Sequence, residues 1–313
     1  MRVRDKKDQE VQLCRLAVSV PADFNFWRTV LSHGWSSLPP FHLEMAGQRL
    51  HRVLNTDSQT VLVEMYEAEN QLEVHVQSHD SMELEELGNI RSTIETMFRL
   101  NEPLDPLFAA LTKKGNSHFA WIPQVKAGRI LRGPNLFEDV IKMICTTNCA
   151  WGATVRMVSN LVSKLGRPFN QAYSDFPTPA QLASTTDTFL SNQIRCGYRS
   201  SYILQFAESV ASGKLSLERW NFLDSESLYQ ELISIKGIGP YAAGNLMRLL
   251  GHYQHLALDS WCRQRFSKMY KHGRTVSDKT ILGHYRHYGQ WKGLVMWLDL
   301  TKDWFDDERT KPI

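Results

Sequence analysis

Cysteine is scarce and scattered. Cys14, Cys145, Cys149, Cys196 and Cys262 form no C-x-x-C pair, which argues against a disulfide framework or a cysteine-built zinc site and leaves buried thiols in a reducing compartment as the expectation. No apolar run approaches the roughly 20 residues that span a bilayer. The opening MRVRDKKDQE is charged and has no signal-peptide apolar segment. No membrane partner is therefore expected, and an intracellular protein is, in a bacterial cytoplasm or a nucleus. Charge of one sign is not in excess either. With 36 Lys and Arg against 33 Asp and Glu the net charge is only +3, so a face for an acidic polymer has to be local. Internal repeats and low-complexity tracts are absent. The pairs His252/His255 and His284/His287, at i,i+3, come nearest to metal-ligand spacing and read more simply as helix or loop histidines. No metal and no cofactor are expected.

What is present is an ordinary globular composition, 42% hydrophobic and 11% aromatic over 313 residues, enough for about two domains and a substantial core. The pattern predicts an α+β fold: a small N-terminal antiparallel β-sheet domain with helices over residues 1–102, then a mostly α-helical domain over 103–313. Leu13 to Val20 is a strand candidate. Val61, Val63 and Met65, and then Leu72, Val74 and Val76, alternate with polar residues across a short Glu-Ala-Glu-Asn connection, which makes a hairpin with one buried face. Phe41 to Leu54 supplies neighbouring strands. From Ser81 the period changes, with Leu84, Leu87, Ile90, Ile94 and Met97 on one helical stripe. Phe24, Phe26, Trp27 and Trp35 read as core. Beyond Pro103, Asp105 to Leu111 is a short helix, Gly115 to Gln124 a loop, and Gly133-Pro134 opens a helix that stops near Cys145-Thr146-Thr147-Asn148. Thr154 to Leu165 is another helix.

The most informative stretch is Leu232 to Asp259. Ser225 is a plausible N-cap for a helix carrying Leu228, Leu232 and Ile235. Lys236-Gly237-Ile238-Gly239 breaks it, since two glycines in four residues invite positive φ. Pro240 suits the first position of a new helix. Such a turn lets backbone approach an anion, and the new helix aims its free N–H groups and positive dipole end at the same place. A phosphate gripped this way is held without reading base sequence. Asp259 follows the second helix; it reads either as a functional carboxylate or as the N-cap of the next helix.

Ile235 to Ala243 together with Leu258-Asp259 resembles the helix-hairpin-helix DNA glycosylase superfamily. Three further segments extend the resemblance toward its 8-oxoguanine branch: Arg129 to Asn148, Cys196-Gly197-Tyr198-Arg199, and Tyr288 to Gly293. The resemblance implies that Lys236, Gly237, Ile238 and Gly239 bind DNA, that Asn148 fills the hole left by an extruded base, and that Tyr198 and Arg199 wedge beside the lesion and meet the orphaned partner base. It implies double-stranded DNA as partner, a monomer, and Asp259 as the catalytic carboxylate that stabilises an oxocarbenium-like sugar.

Two departures from the family pattern shape the expected activity. Members that also cut the strand carry a lysine two residues after the hairpin's second glycine; here that residue is Tyr241, which cannot form an imine. Aligning the last helix puts Met296 and Leu300 where an 8-oxoguanine reader has Gln and Phe, while Asn245 and Trp261 replace other pocket residues. Tyr241, Trp261, Met296 and Trp297 are the expected walls of an aromatic pocket, which suits electron-poor alkylated purines. One branch builds an iron–sulfur cluster on four cysteines after the aspartate; only Cys262 follows Asp259, so that cluster cannot be built. The expected protein is a base-excision-repair glycosylase that flips out an alkylated purine and hydrolyses its glycosidic bond without strand cleavage. A non-catalytic lesion-sensing protein and a bifunctional glycosylase/lyase are the alternatives.

Overall fold

The computed structural model of the protein describes residues 11–112 and 117–306. The charged segment 1–10, part of the expected 115–124 loop and the last residues of the helical region lie outside them. The alternation of apolar and polar residues in the N-terminal part gives five antiparallel strands, β1 (Gln12–Ser19), β2 (Phe41–Glu44), β3 (Arg49–Asn55), β4 (Thr60–Ala68) and β5 (Gln71–Ser78), in the order β1-β5-β4-β3-β2. Register pairs like with like on the buried face: Val63 opposes Val76, Met65 opposes Val74, and Leu50 opposes Met65. The helix Leu84–Phe98 lays Ile90, Ile94 and Met97 into the core. Leu84, expected on the same stripe, is 87% exposed; it sits in the first turn and points to solvent.

Helices follow, as the sequence predicted. Asp105–Leu111 forms as expected. The stretch read as a loop holds two short helical turns, Ser117–Phe119 and Trp121–Gln124. The helix expected from Gly133-Pro134 starts later, at Leu136, because Asn135 accepts the backbone N–H of Glu138 at 3.0 Å and caps it. The next helix starts earlier than read, spanning Trp151–Leu165. The apolar core is continuous from the sheet into the helices, across the expected boundary at residues 102 and 103.

Charge reinforces that seam. Arg52 on β3 and Lys142 both reach Glu138 on the helix Leu136–Thr146, with Arg52 Nη1 at 3.0 Å and Lys142 Nζ at 2.6 Å, all three fully buried. One carboxylate between two cations satisfies groups that would be costly to bury alone. The sheet thus fixes the helix whose C-terminal end carries Thr146, Thr147 and Asn148. No described helix is long and apolar enough to cross a membrane.

Candidate active site

The hairpin is built from Ser225–Ser234 and Pro240–Leu249. Asp224, not Ser225, is the N-cap: its Oδ1 accepts from Glu226 and Ser227 N–H, and Ser225 is the first helical residue, its hydroxyl 2.6 Å from His252 Nδ1. Between the helices, Gly237 holds φ +94, and a Cβ there would meet the Tyr202 ring at 2.7 Å. Gly239 is extended, and its Cβ would enter open space. Ile238 turns its side chain into the core and spends its N–H on the Ile235 carbonyl at 3.0 Å. Its part in the turn is structural, unlike the expected phosphate contact. Lys236 is exposed, with Nζ 5.5 Å from the Tyr202 ring centre.

This turn floors a groove of about 1100 Å³ that also takes in Thr147, Asn148, Tyr198, Asp259 and Arg263. Tyr198 is 53% exposed at its rim, and Asn148 Nδ2 donates to its hydroxyl across 3.4 Å. Asn148 has φ 49, a left-handed conformation Asn tolerates, and it stands just past the helix C-cap, Thr147. Arg199 departs from the expected base contact. It is only 7% exposed, its Nε and Nη2 both donate to the Thr147 carbonyl, and its guanidinium lies 4.5 Å from the Tyr198 ring centre. It is a strut under Tyr198 and the helix end.

Behind the groove opens a cavity of about 590 Å³. Tyr241, Asp259, Thr146, Cys149 and Ser260 line both spaces, so they form the passage between them. Asp259 is an N-cap: Oδ1 accepts Cys262 N–H at 2.7 Å, which fixes the carboxylate at the start of Ser260–Tyr270. Burial, with the nearby Asp259 charge, pushes the Tyr241 phenol up to about 12, so it stays protonated. Trp261 and Trp297 face each other with centroids 6.1 Å apart, and Trp304 closes the trio. Met296 does not join them: it is fully buried in the apolar core and absent from the lining.

Sequence reading missed several lining residues. His33, Gly34, Trp35 and Trp151 come from distant parts of the chain. His33 Nε2 is 2.5 Å from the Leu131 carbonyl, and burial lowers the imidazole to about 3, so it is neutral. Gly34 is needed because a Cβ would lie 2.4 Å from the Trp151 ring. Arg248 is the other omission. It is buried, stacks 4.3 Å from the Trp297 ring centre, and donates through Nη2 to Asn245 Oδ1. Burial brings its guanidinium down to about 10, still protonated at neutral pH. Its signal was present: Tyr241, Asn245 and Arg248 fall at i, i+4 and i+7, one face of the hairpin's second helix. Of the paired histidines, His255 stacks on Tyr229 with ring centres 4.1 Å apart, and His287 lies tilted against its neighbour Tyr288 at 3.9 Å.

A hairpin, a capping aspartate at a passage and an N-terminal sheet together define a class: the chain has the fold of the helix-hairpin-helix DNA glycosylases, in accord with the resemblance drawn from its sequence. The 3-methyladenine DNA glycosylase of Archaeoglobus fulgidus superposes with a TM-score of 0.72 at 18% identity, over 93% of this chain and 99% of that one. The 8-oxoguanine glycosylase/lyase of Clostridium acetobutylicum gives 0.71 at 18% identity, over 93% and 98%. In sequence, the N-glycosylase/DNA lyase of Saccharomyces cerevisiae is 26% identical over 175 residues, covering 49% of this chain and 44% of that protein. The DNA-3-methyladenine glycosylase of Bacillus subtilis is 32% identical over 138 residues, covering 39% and 42%. The matches thus span less than half the length of these curated relatives. No family model matches the chain.

Proposed function

We propose that the protein is a monofunctional DNA glycosylase of base excision repair. The observation that carries this reading is the passage itself: Asp259 and Tyr241 stand where the hairpin groove meets an aromatic cavity, and among the described residues no lysine lines that cavity. Double-stranded DNA lies in the groove, its phosphate against the Gly237–Gly239 turn and the N-terminus of Pro240–Leu249. Tyr198 and Asn148 fill the gap as a damaged nucleotide swings into the cavity, offsetting part of the few kcal/mol that unstacking costs. The C1′–N bond then breaks with its electron pair leaving on the base. The Asp259 carboxylate faces the electron-deficient sugar. Water adds its oxygen to C1′ and releases a proton, and the base carries away the electron pair and takes up a proton. The abasic strand stays intact, since Tyr241 stands two residues beyond Gly239 and cannot form an imine, and Lys236 lies in the hairpin turn of the groove, outside the cavity lining. The glycosylase names of both curated relatives support the glycosylase part of this reading, and the solution of the Clostridium glycosylase/lyase with duplex DNA supports the partner; the monofunctional part rests on Tyr241 and the cavity lining.

Asp259→Asn tests it. Asn caps a helix about as well as Asp, so the Cys262 N–H keeps its acceptor while the charge goes. Base release from lesion-bearing duplex should fall by at least about a hundredfold, with melting temperature and duplex affinity little changed. Undiminished release by Asp259→Asn would reduce the aspartate to a cap. Borohydride should trap no enzyme–DNA adduct; an adduct that vanishes in Lys236→Ala would make the protein a lyase.

A further inference from the structure

The cavity was expected to take an electron-poor alkylated purine, because its walls are aromatic. Those walls are present in Trp261 and Trp297, but the face of Trp297 is already occupied by a cation. Among the lining side chains only Arg248 and Asp259 are charged, and they stand in different places. Asp259 is at the passage shared with the groove, whereas Arg248 lines the cavity alone. Arg248 has no carboxylate of a described residue within ion-pair distance. Among the described residues its side chain makes one hydrogen bond, through Nη2 to Asn245 Oδ1, and the rest of the guanidinium stands in the cavity lining. In the same wall, the buried Trp151 Nε1–H has no acceptor. A buried guanidinium with no carboxylate in contact and one hydrogen bond asks for an electron-rich acceptor and repels a second cation.

We infer that Arg248 is a specificity-determining residue of this cavity, selecting an uncharged base that presents a carbonyl oxygen and rejecting the cationic N-alkylpurines. The inference rests on the glycosylase reading of the site and replaces the alkylated base expected from the walls alone. The chemistry of departure points the same way. A cationic alkylpurine leaves as a neutral molecule and needs no help from its pocket. A neutral base leaves with an extra electron pair, which a fixed guanidinium beside its carbonyl stabilises as it develops. Donors matched to a substrate oxygen also discriminate more strongly than apolar walls do.

The test compares duplexes carrying hypoxanthine or 8-oxoguanine with duplex treated with dimethyl sulfate, which holds cationic 7-methylguanine and 3-methyladenine. The wild-type protein should release at least one carbonyl-bearing neutral base about a hundredfold faster than the methylated purines. Arg248→Met, which keeps the stem over Trp297 but removes charge and donors, should lose most of that advantage by slowing the neutral base while methylated-purine release holds or rises. Arg248→Lys should stay closer to wild type in excluding the methylated bases. Preferred release of methylated purines by the wild type, or equal losses on both substrate classes in Arg248→Met, would overturn the inference. No release from any duplex, with tighter binding to the hypoxanthine duplex than to the methylated one and that preference lost in Arg248→Met, would instead overturn the excision reading and leave the pocket assignment standing.

Discussion

Tyr198, Asn148 and Arg199 belong to two stretches some 50 positions apart in the chain and occupy different physical roles. Tyr198 and Asn148 stand in the groove, joined to each other by one long hydrogen bond, while Arg199 is turned inward onto the Thr147 carbonyl. Their substitutions should therefore separate. Tyr198→Ala and Asn148→Ala should slow release from a paired lesion more than from one already unpaired, since a plug matters only where a stack is broken; equal losses on both substrates would make the pair merely structural. Arg199→Ala should behave as a stability variant, because a charged hydrogen bond to a part-buried carbonyl is worth about 1.5–3 kcal/mol. Thermal melting should show it, with Tyr198→Ala close to wild type. The difference was hidden in the sequence because the partner of Arg199 is a backbone carbonyl 52 positions away, and a carbonyl leaves no mark on residue identity.

At the scale of the element, the hairpin was the most legible part of the chain. Two glycines followed by proline fix a break and a restart by local backbone physics alone, and the second helix does begin at Pro240. What the pattern could not show is that the glycines serve different ends. Gly237 is required by its positive φ and by the Tyr202 ring against it, whereas Gly239 is extended with open space before it. Gly237→Ala should cost fold stability along with DNA affinity. Gly239→Ala should leave the melting temperature nearly unchanged and still weaken binding to non-specific duplex, because its new methyl stands where the phosphate backbone approaches. A filter-binding titration at moderate salt separates the two, and an undiminished affinity in Gly239→Ala would remove the phosphate from that position. The cavity was less legible. Its helix face, Tyr241, Asn245 and Arg248, is written at helical spacing, but His33 and Gly34 meet it from the N-terminal segment and Trp151 from the start of the helix Trp151–Leu165, placements that only the tertiary fold sets.

At the scale of the whole molecule, the sheet and the helices are joined by buried charge as well as by apolar packing, and that joint has a pH signature. Beside the Arg52, Glu138 and Lys142 group, Arg52 Nη2 also lies 3.8 Å from Asp175 Oδ1. Burial raises the Asp175 carboxyl from 3.8 to about 7 against the pull of Arg52, and the nearby Glu138 charge adds to the rise. Glu138 moves the other way: Arg52 and Lys142 outweigh its burial and hold it below the ordinary carboxylate range, so it stays ionised from pH 5 upward. Between pH 4 and 7 the native protein keeps the Asp175 proton that the unfolded chain has lost. Stability from this group is therefore complete below about pH 4 and declines as pH rises through 7, with the full penalty above that. Asp175→Asn, which cannot ionise, should match the wild type near pH 4 and become the more stable protein by pH 8, by a few kcal/mol. Urea unfolding of both proteins across that range measures it. A gap independent of pH would mean that Asp175 is ionised throughout, held down by Arg52, and that the joint carries its charges fully paired.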